Sequence, residues 1–231
     1  MTPGPSRVLL KLSGEALKGP EGAFSPDSLR RIAGEIAPLS STQIAIVVGG
    51  GNVIRGARTE GFDRVEADTL GMLATVLNAL ALRTYLERAG RDVFVQSAIG
   101  TELTDSISPR DARKALAGGA IVVFAGGTGS PLVTTDTAAA LRAVSIDADL
   151  LAKASNVPGV FDRDPAKDSN ARRLSDVSFD EFLAARYGVM DQVAVEICRE
   201  HRLPIEVFDF DRPGALRALT EGKRVGTRIG A

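Results

Sequence analysis

The sequence predicts an α/β fold: a three-layer sandwich with a largely parallel central sheet and helices on both faces. Two observations predict it. Short apolar runs alternate with segments of helical spacing along the chain, and the runs break repeatedly into glycine turns. The most informative stretch, Val122–Leu141 (VVFAGGTGSPLVTTDTAAAL), reads as a buried strand, a turn rich in glycine and hydroxyls, and an alanine-rich helix opening at Asp136. In such sheets ligand loops gather at the carboxyl ends of the strands, so the glycine turns mark the candidate site.

The first element is a central strand, Arg7–Leu12 (RVLLKL), which ends in Ser13-Gly14; residues 1–6 are expected to be flexible. Lys11, close to the strand end, either snorkels to the surface or serves a phosphate loop. Ser25-Pro26-Asp27 starts a helix whose apolar face is Leu29, Ile32, Ala33 and Ile36, and Pro38 ends it. Gln43–Val48 is the second strand, followed by Gly49-Gly50-Gly51-Asn52, with Arg55 about one helical turn beyond the glycines. A long helix from about Glu66 to Ala89 is apolar on more than one face and stops at Gly90. Either a second copy of the chain or the protein's own interior must cover it.

Val93–Gln96 is the third strand, Ser108-Pro109 starts a helix that closes at Gly118-Gly119, and Ala120–Ala125 is the fourth. After a helix over Asp136–Val144 comes a fifth strand, Asp149–Ser155, and then a hairpin or turn at Val157–Phe161. The polar segment Asp162–Arg173 lacks the central glycine and terminal glutamate of an EF-hand. Its plain reading is a solvated loop. Helices follow at Phe179–Arg186 and Met190–His201, a strand at Ile205–Phe208, and a short helix at Gly214–Glu221 after Pro213. The tail GTRIGA is expected to pair as an edge strand. No repeat, low-complexity run or linker divides the chain, so a single domain over 1–231 is expected.

Composition narrows the function. Lys+Arg 28 against Asp+Glu 29 leaves a net charge of -1, so no overall basic field calls for nucleic acid and any anion site must be local. The amino terminus has no apolar signal core and no run approaches roughly eighteen apolar residues, which makes a cytoplasmic protein with no membrane partner the expectation. The single cysteine, Cys198, excludes an internal disulfide and reads as a buried thiol. His201, the lone histidine, lies in a charged helix end and reads as a surface residue; without it no Ser-His-Asp triad or histidine-ligated metal site can be built.

Neither G-x-x-x-x-G-K-[ST] nor a first-strand G-x-G-x-x-G is present, so the ordinary phosphate-loop and dinucleotide folds are excluded. What remains is glycine loops with Lys11, Arg55 and several aspartates at one sheet edge. That set suits phosphoryl transfer, in which positioning and charge neutralisation do most of the catalysis. A phosphate acceptor is already ionised at pH 7, so no base is required.

The blocks KLSGEAL (Lys11–Leu17), GGGNVIRG (Gly49–Gly56), ADTLGMLATVLNALALR (Ala67–Arg83), GTGSPLVTTDTAAALRA (Gly127–Ala143), KASNVPGVFDRDPAKD (Lys153–Asp168) and LPIEVFDFDRPGAL (Leu203–Leu216) resemble the bacterial uridylate (UMP) kinases of the amino acid kinase family. The resemblance runs in order over nearly the whole chain. It implies an amino acid kinase-like fold and transfer of the γ-phosphoryl of ATP to UMP in pyrimidine biosynthesis. It implies that Lys11, Arg55 and Asp136 are catalytic, Asp136 orienting Lys11. ATP is then expected at Lys11, Leu12, Ser13, Gly14, Gly51 and Arg55, with its adenine and ribose at Ser155, Asn156, Phe161 and Asp164.

UMP is expected at Gly50, Asp68, Thr128, Gly129, Ser130, Pro131, Leu132, Val133, Thr134 and Thr135. Asp68 would accept from ribose hydroxyls and the threonines would read the uracil edge. The resemblance further implies Mg²⁺ carried with ATP and no dedicated metal ligands, a homohexamer, and allosteric control, with UTP as an inhibitor. Three features depart from the family pattern: Ser130 replaces its asparagine, Leu132-Val133 replaces its aromatic pair, and Gly19–Asp27 lacks the glycine-rich form linked to GTP activation. GTP activation is therefore left open. Two other readings stand beside this one: a same-fold kinase with a carboxylate or carbamate acceptor, and a non-catalytic nucleotide-binding storage or regulatory protein.

Overall fold

A computed structural model describes residues 4–20, 22–54, 61–163, 165, 167–168 and 170–230. Among them, β1 (Arg7–Leu12), β2 (Gln43–Val48), β3 (Val93–Ser97), β4 (Asp105–Ser106), β5 (Ile121–Ala125), β6 (Leu150–Ser155), β7 (Asp176–Val177), β8 (Ile205–Asp209) and β9 (Thr227–Ile229) form one sheet. Its order is β4-β3-β5-β2-β1-β6-β8-β9-β7. Every pairing is parallel except that of β8 with β9. The helices are α1 (Pro26–Ile36), α2 (Arg64–Arg88), α3 (Pro109–Ala117), α4 (Thr135–Ser145), α5 (Phe179–Ala185), α6 (Gln192–Glu200) and α7 (Ala215–Thr220).

Successive side chains on a strand point to opposite faces, so each central strand feeds two cores. On β1, Val8, Leu10 and Leu12 pack with Ile32 of α1, Leu82 of α2 and Leu216 of α7. Leu9 faces the other layer, with Leu116 of α3, Ala139 of α4, Phe182 of α5 and Val195 of α6. Each buried leucine contributes about 1.5–3 kcal/mol. The same period puts Lys11 on the Leu9 side, under α4.

Local signals place the helix starts. Ser25 and Ser108 cap α1 and α3 by accepting from Ser28 N and Asp111 N, each with proline in the first turn. The reciprocal capping box of Asp63 and Glu66 starts α2, two residues before the position that apolar spacing alone suggests. α2 is long and apolar enough, by length and composition, to cross a membrane. Here it lies on β2, β3 and β5 with Ala79, Leu82 and Leu86 buried, while Val65, Leu73 and Leu77 form an exposed row. The chain's own interior therefore covers one of its two apolar faces and leaves the other open.

Two expectations change, and two short strands are added. α4 opens at Thr135, not Asp136, because Thr134 is the extended cap residue and accepts from Thr137 N. The tail strand β9 is not at the edge: β8 pairs on one side of it and β7 on the other. The outermost strands, β4 and β7, are two residues each and too short to carry a hydrophobic pattern.

Candidate active site

Two lysines meet one aspartate at the carboxyl edge of the sheet. Lys11 on β1 and Lys153 on β6 are register partners in adjacent parallel strands, so their side chains emerge side by side on the α4 face. Asp136, in the first turn of α4, sits between them: its Oδ1 lies 2.9 Å from Lys11 Nζ, and its Oδ2 accepts from Lys153 Nζ. All three side chains are nearly buried. Burial alone would raise the Asp136 carboxyl, but the charges on Lys11 and Lys153 outweigh it and hold the group down at about 2. Burial lowers the Lys153 ammonium from its ordinary value, against the pull of Asp136. The result is a cationic pair pinned by an ionised carboxylate, an arrangement suited to anionic oxygens.

Asp191 ties this centre to α6. Its Oδ2 accepts from the hydroxyls of Thr134 (2.6 Å) and Thr137 (2.9 Å), its Oδ1 caps α6 through Val193 N, and its own N–H reaches Asp136 Oδ2 at 3.3 Å. The first turn of α4, whose N–H groups lack intrahelical partners, is thereby held facing the strand ends.

The loops around the centre need glycine for different reasons. At Gly14 a Cβ would lie 2.5 Å from Asn52 Oδ1 and 2.6 Å from the Gly49 carbonyl; at Gly50 it would lie 2.4 Å from the Gly71 carbonyl of α2. Gly126, Gly127 and Gly129 have positive φ (75°, 58° and 83°). Both loops open onto a cavity of about 150 Å³ lined by Gly50, Gly51, Asp68, Gly71, Thr75, Gly127, Ser130, Val133, Thr134 and Thr135, among others.

Of the acceptor residues expected from the sequence, Gly50, Asp68, Ser130, Val133, Thr134 and Thr135 line that cavity; Thr128, Gly129, Pro131 and Leu132 belong to the same loop without lining it. Asp68 Oδ2 accepts from Arg64 Nε (2.8 Å) and from Leu132 N (2.9 Å), so it clasps the loop to α2. Leu132 is held at φ 67° with its side chain exposed. Leu12, Ser13 and Gly14 adjoin Lys11, and Ser13 accepts from Glu15 N to start a 3₁₀ turn over Gly14–Leu17. Phe161 lines a second cavity of about 550 Å³ with Val160, Tyr187 and Val189. Ser155 and Asn156 lie at the end of β6, outside its lining. Arg55 and Asp164 lie outside the described residues.

Lys153 and Asp191 were not singled out from the sequence. Lys153 carries a signal, a lysine inside the otherwise apolar DLLAKAS; Asp191 falls inside the helix expected over Met190–His201, and the structure instead makes it the cap of α6. Among the described residues no group of three or more His, Cys, Asp or Glu side chains could hold a metal ion. Asp136 is committed to two lysines, so the donor set fits an ion that arrives on phosphate oxygens.

The chain matches the model of the amino acid kinase family over residues 6–209. It is 47% identical over 229 residues to the uridylate kinase of Pseudomonas syringae pv. syringae (strain B728a), covering 96% of this chain and 93% of that protein. The crystal structure of UMP kinase from Bacillus anthracis superposes with a TM-score of 0.93 at 37% identity, covering 98% of this chain and 96% of the other. UMP kinase from Ureaplasma parvum gives 0.92 at 32% identity over the full length of both.

Proposed function

The chain belongs to the amino acid kinase family, and from that premise we propose that it transfers the γ-phosphoryl of ATP to UMP, giving UDP and ADP in pyrimidine nucleotide synthesis. The observation that carries the chemistry is Asp136 held between Lys11 and Lys153, beside the cavity that both glycine loops share.

In this reading the ATP phosphates lie over Leu12, Ser13, Gly14 and Gly51, and Lys11 and Lys153 offset the charge that spreads onto the transferring oxygens. Asp136 accepts both ammonium groups and fixes where they point. Arg55 reaches between donor and acceptor. The adenosine end occupies the segment of Ser155, Asn156, Phe161 and Asp164. UMP fills the smaller cavity with its ribose at Asp68; because the Thr134 hydroxyl donates to Asp191 and the Thr128 hydroxyl to the Ser130 carbonyl, base reading falls to Thr135. The UMP phosphate is ionised at pH 7 and attacks without a base. Mg²⁺ bound to the ATP phosphates would add charge neutralisation there, with no carboxylate cage from the protein. We also place the protein in the cytoplasm as a homohexamer under allosteric control, with the exposed α2 row as a subunit contact, UTP as an inhibitor and GTP as an effector to be tested.

The test is ADP release with UMP, CMP or dUMP, with and without GTP and UTP. UMP-dependent release is expected, and Lys11→Ala should lower kcat about 10²–10³-fold through loss of a transition-state contact. Phosphorylation of N-acetylglutamate, aspartate or carbamate with UMP untouched would overturn the reading. Nucleotide binding with the same negligible turnover in both forms would favour a storage protein. A monomer by light scattering would remove the hexamer.

A further inference from the structure

The middle of α2 holds two polar side chains that the chemistry above does not use. Thr75 is 2% exposed and Asn78 is completely buried. The Gly126 N–H donates to Thr75 Oγ1 at 2.7 Å, and the Thr75 hydroxyl donates onward to the Met72 carbonyl at 2.7 Å. Asn78 Nδ2 donates to the Gly49 carbonyl at 2.6 Å and to Asn52 Oδ1 at 2.7 Å, and its Oδ1 accepts from Asn52 Nδ2 at 2.9 Å. Asn52 Nδ2 also donates to the Ala23 carbonyl.

One helix therefore grips both glycine loops by their backbones. Asn78 holds the loop after β2 at its first glycine, and Thr75 holds the loop after β5 at its first glycine. The two grips are three residues apart on one side of α2, about 4.5 Å along its axis. Gly71, one turn before Thr75 on the same side, presents the carbonyl that leaves no room for a side chain at Gly50. Asp68 holds the far end of the second loop at Leu132 N.

Helix formation does not call for these residues. Threonine and asparagine are poor helix-interior residues, and what they satisfy here are backbone groups of the two loops, the Gly126 N–H and the Gly49 carbonyl. What hydrogen bonds supply and apolar contact does not is a defined position for each loop. Phosphoryl transfer is sensitive to that position, because donor and acceptor must lie in line at short range.

We propose that Thr75 and Asn78 are positioning residues for the reaction: as one rigid rail, they set the spacing between the glycine loop on the donor side and the glycine loop on the acceptor side. The inference rests on the proposed kinase reading. It predicts that loosening either grip lowers turnover more than it weakens the binding of either substrate.

The experiment is a Thr75 series with Asn78→Asp as a second probe, measured at 25 °C by ADP release and by equilibrium binding of ATP and UMP separately. Thr75→Val keeps the shape and strips the acceptor from Gly126 N–H; kcat should fall about ten- to a hundredfold while each dissociation constant moves less than about threefold. Thr75→Ser should restore kcat to within about threefold, and Thr75→Cys, a weak acceptor of similar size, should fall between. Asn78→Asp, which turns an oxygen toward the Gly49 carbonyl, should behave like Thr75→Val. If Thr75→Val does not fold, the Cys variant decides. Wild-type kcat in the Cys or Val variant, with only the melting temperature lowered, would overturn the inference and leave a structural role. Failure of the kinase reading shows separately, as wild-type protein that releases no ADP with UMP. The series is then scored with the acceptor that does support release.

Discussion

The loop after β2 and the loop after β5 both leave a buried strand through glycine, and they use it differently. In the first, Gly50 is compressed against the Gly71 carbonyl of α2, 2.4 Å from where a Cβ would stand. In the second, Gly126, Gly127 and Gly129 adopt positive φ, and a Cβ on Gly127 would meet only Met72 Cγ at 3.7 Å. The first loop is a packing joint between helix and sheet. The second is first a backbone shape, a sharp turn that delivers Thr134 to the cap of α4 and Asp136 to the lysines; Gly126 adds close approach, a Cβ there falling 2.8 Å from Ala98 N and Ile99 N. Gly50 and Gly127 thus stand for two different constraints, Gly126 carries both, and substitution separates them.

The largest expected effect comes from breaking the packing joint. Gly50→Ala should cost about 1–3 kcal/mol, because neither backbone can retreat. Gly127→Ala should cost only about 1 kcal/mol, the penalty of a left-handed alanine partly returned through the unfolded chain. Urea midpoints of the two variants test the order; equal or reversed losses would erase the distinction.

Asp136 links the two regions, since Lys11 beside the first loop meets it just beyond the second. Its carboxyl is held down at about 2 in the folded protein, against 3.8 ordinarily. A depressed carboxylate stabilises above its unfolded pKa and loses that contribution as pH falls through the folded one. Between about pH 4 and pH 2 the wild type should therefore lose stability on the order of 2 kcal/mol from this group. Unfolding free energies of wild type and Asp136→Asn over that range check it: the variant should show the shallower slope, and parallel slopes would count against the link.

The smallest effect lies at the tip of the second loop. Leu132 has φ 67° and is 64% exposed, so a residue that tolerates this conformation should relieve it without losing burial. Leu132→Asn is expected to gain about 0.5–1 kcal/mol in urea unfolding. A loss would show that the exposed leucine is packed in the working protein, by substrate or by another subunit.

Much of the architecture was legible in the residues. β2 from Ile44 and β5 are unbroken apolar runs, β1 is one interrupted by Lys11, and the Ser-Pro starts of α1 and α3 name their own caps, because these signals are local and need no partner to be read. The candidate centre was half legible. Lys11 and Asp136 could be named, but Asp136 also read as the helix opening that Thr134 in fact caps. Lys153 and Asp191 went unread, as did the grips of Thr75 and Asn78, since each matters only through a residue far away in the chain.

The sequence by itself determined the alternation of strands and helices, the glycine turns at one edge and the family, through patterns of spacing that short-range physics imposes. Only the tertiary structure decided that β6 lies beside β1 in a register that sets Lys153 next to Lys11, that α4 brings Asp136 between them, and that one face of α2 carries both glycine loops. Strand order and register are set by packing across the whole core, and no stretch of sequence contains that information alone.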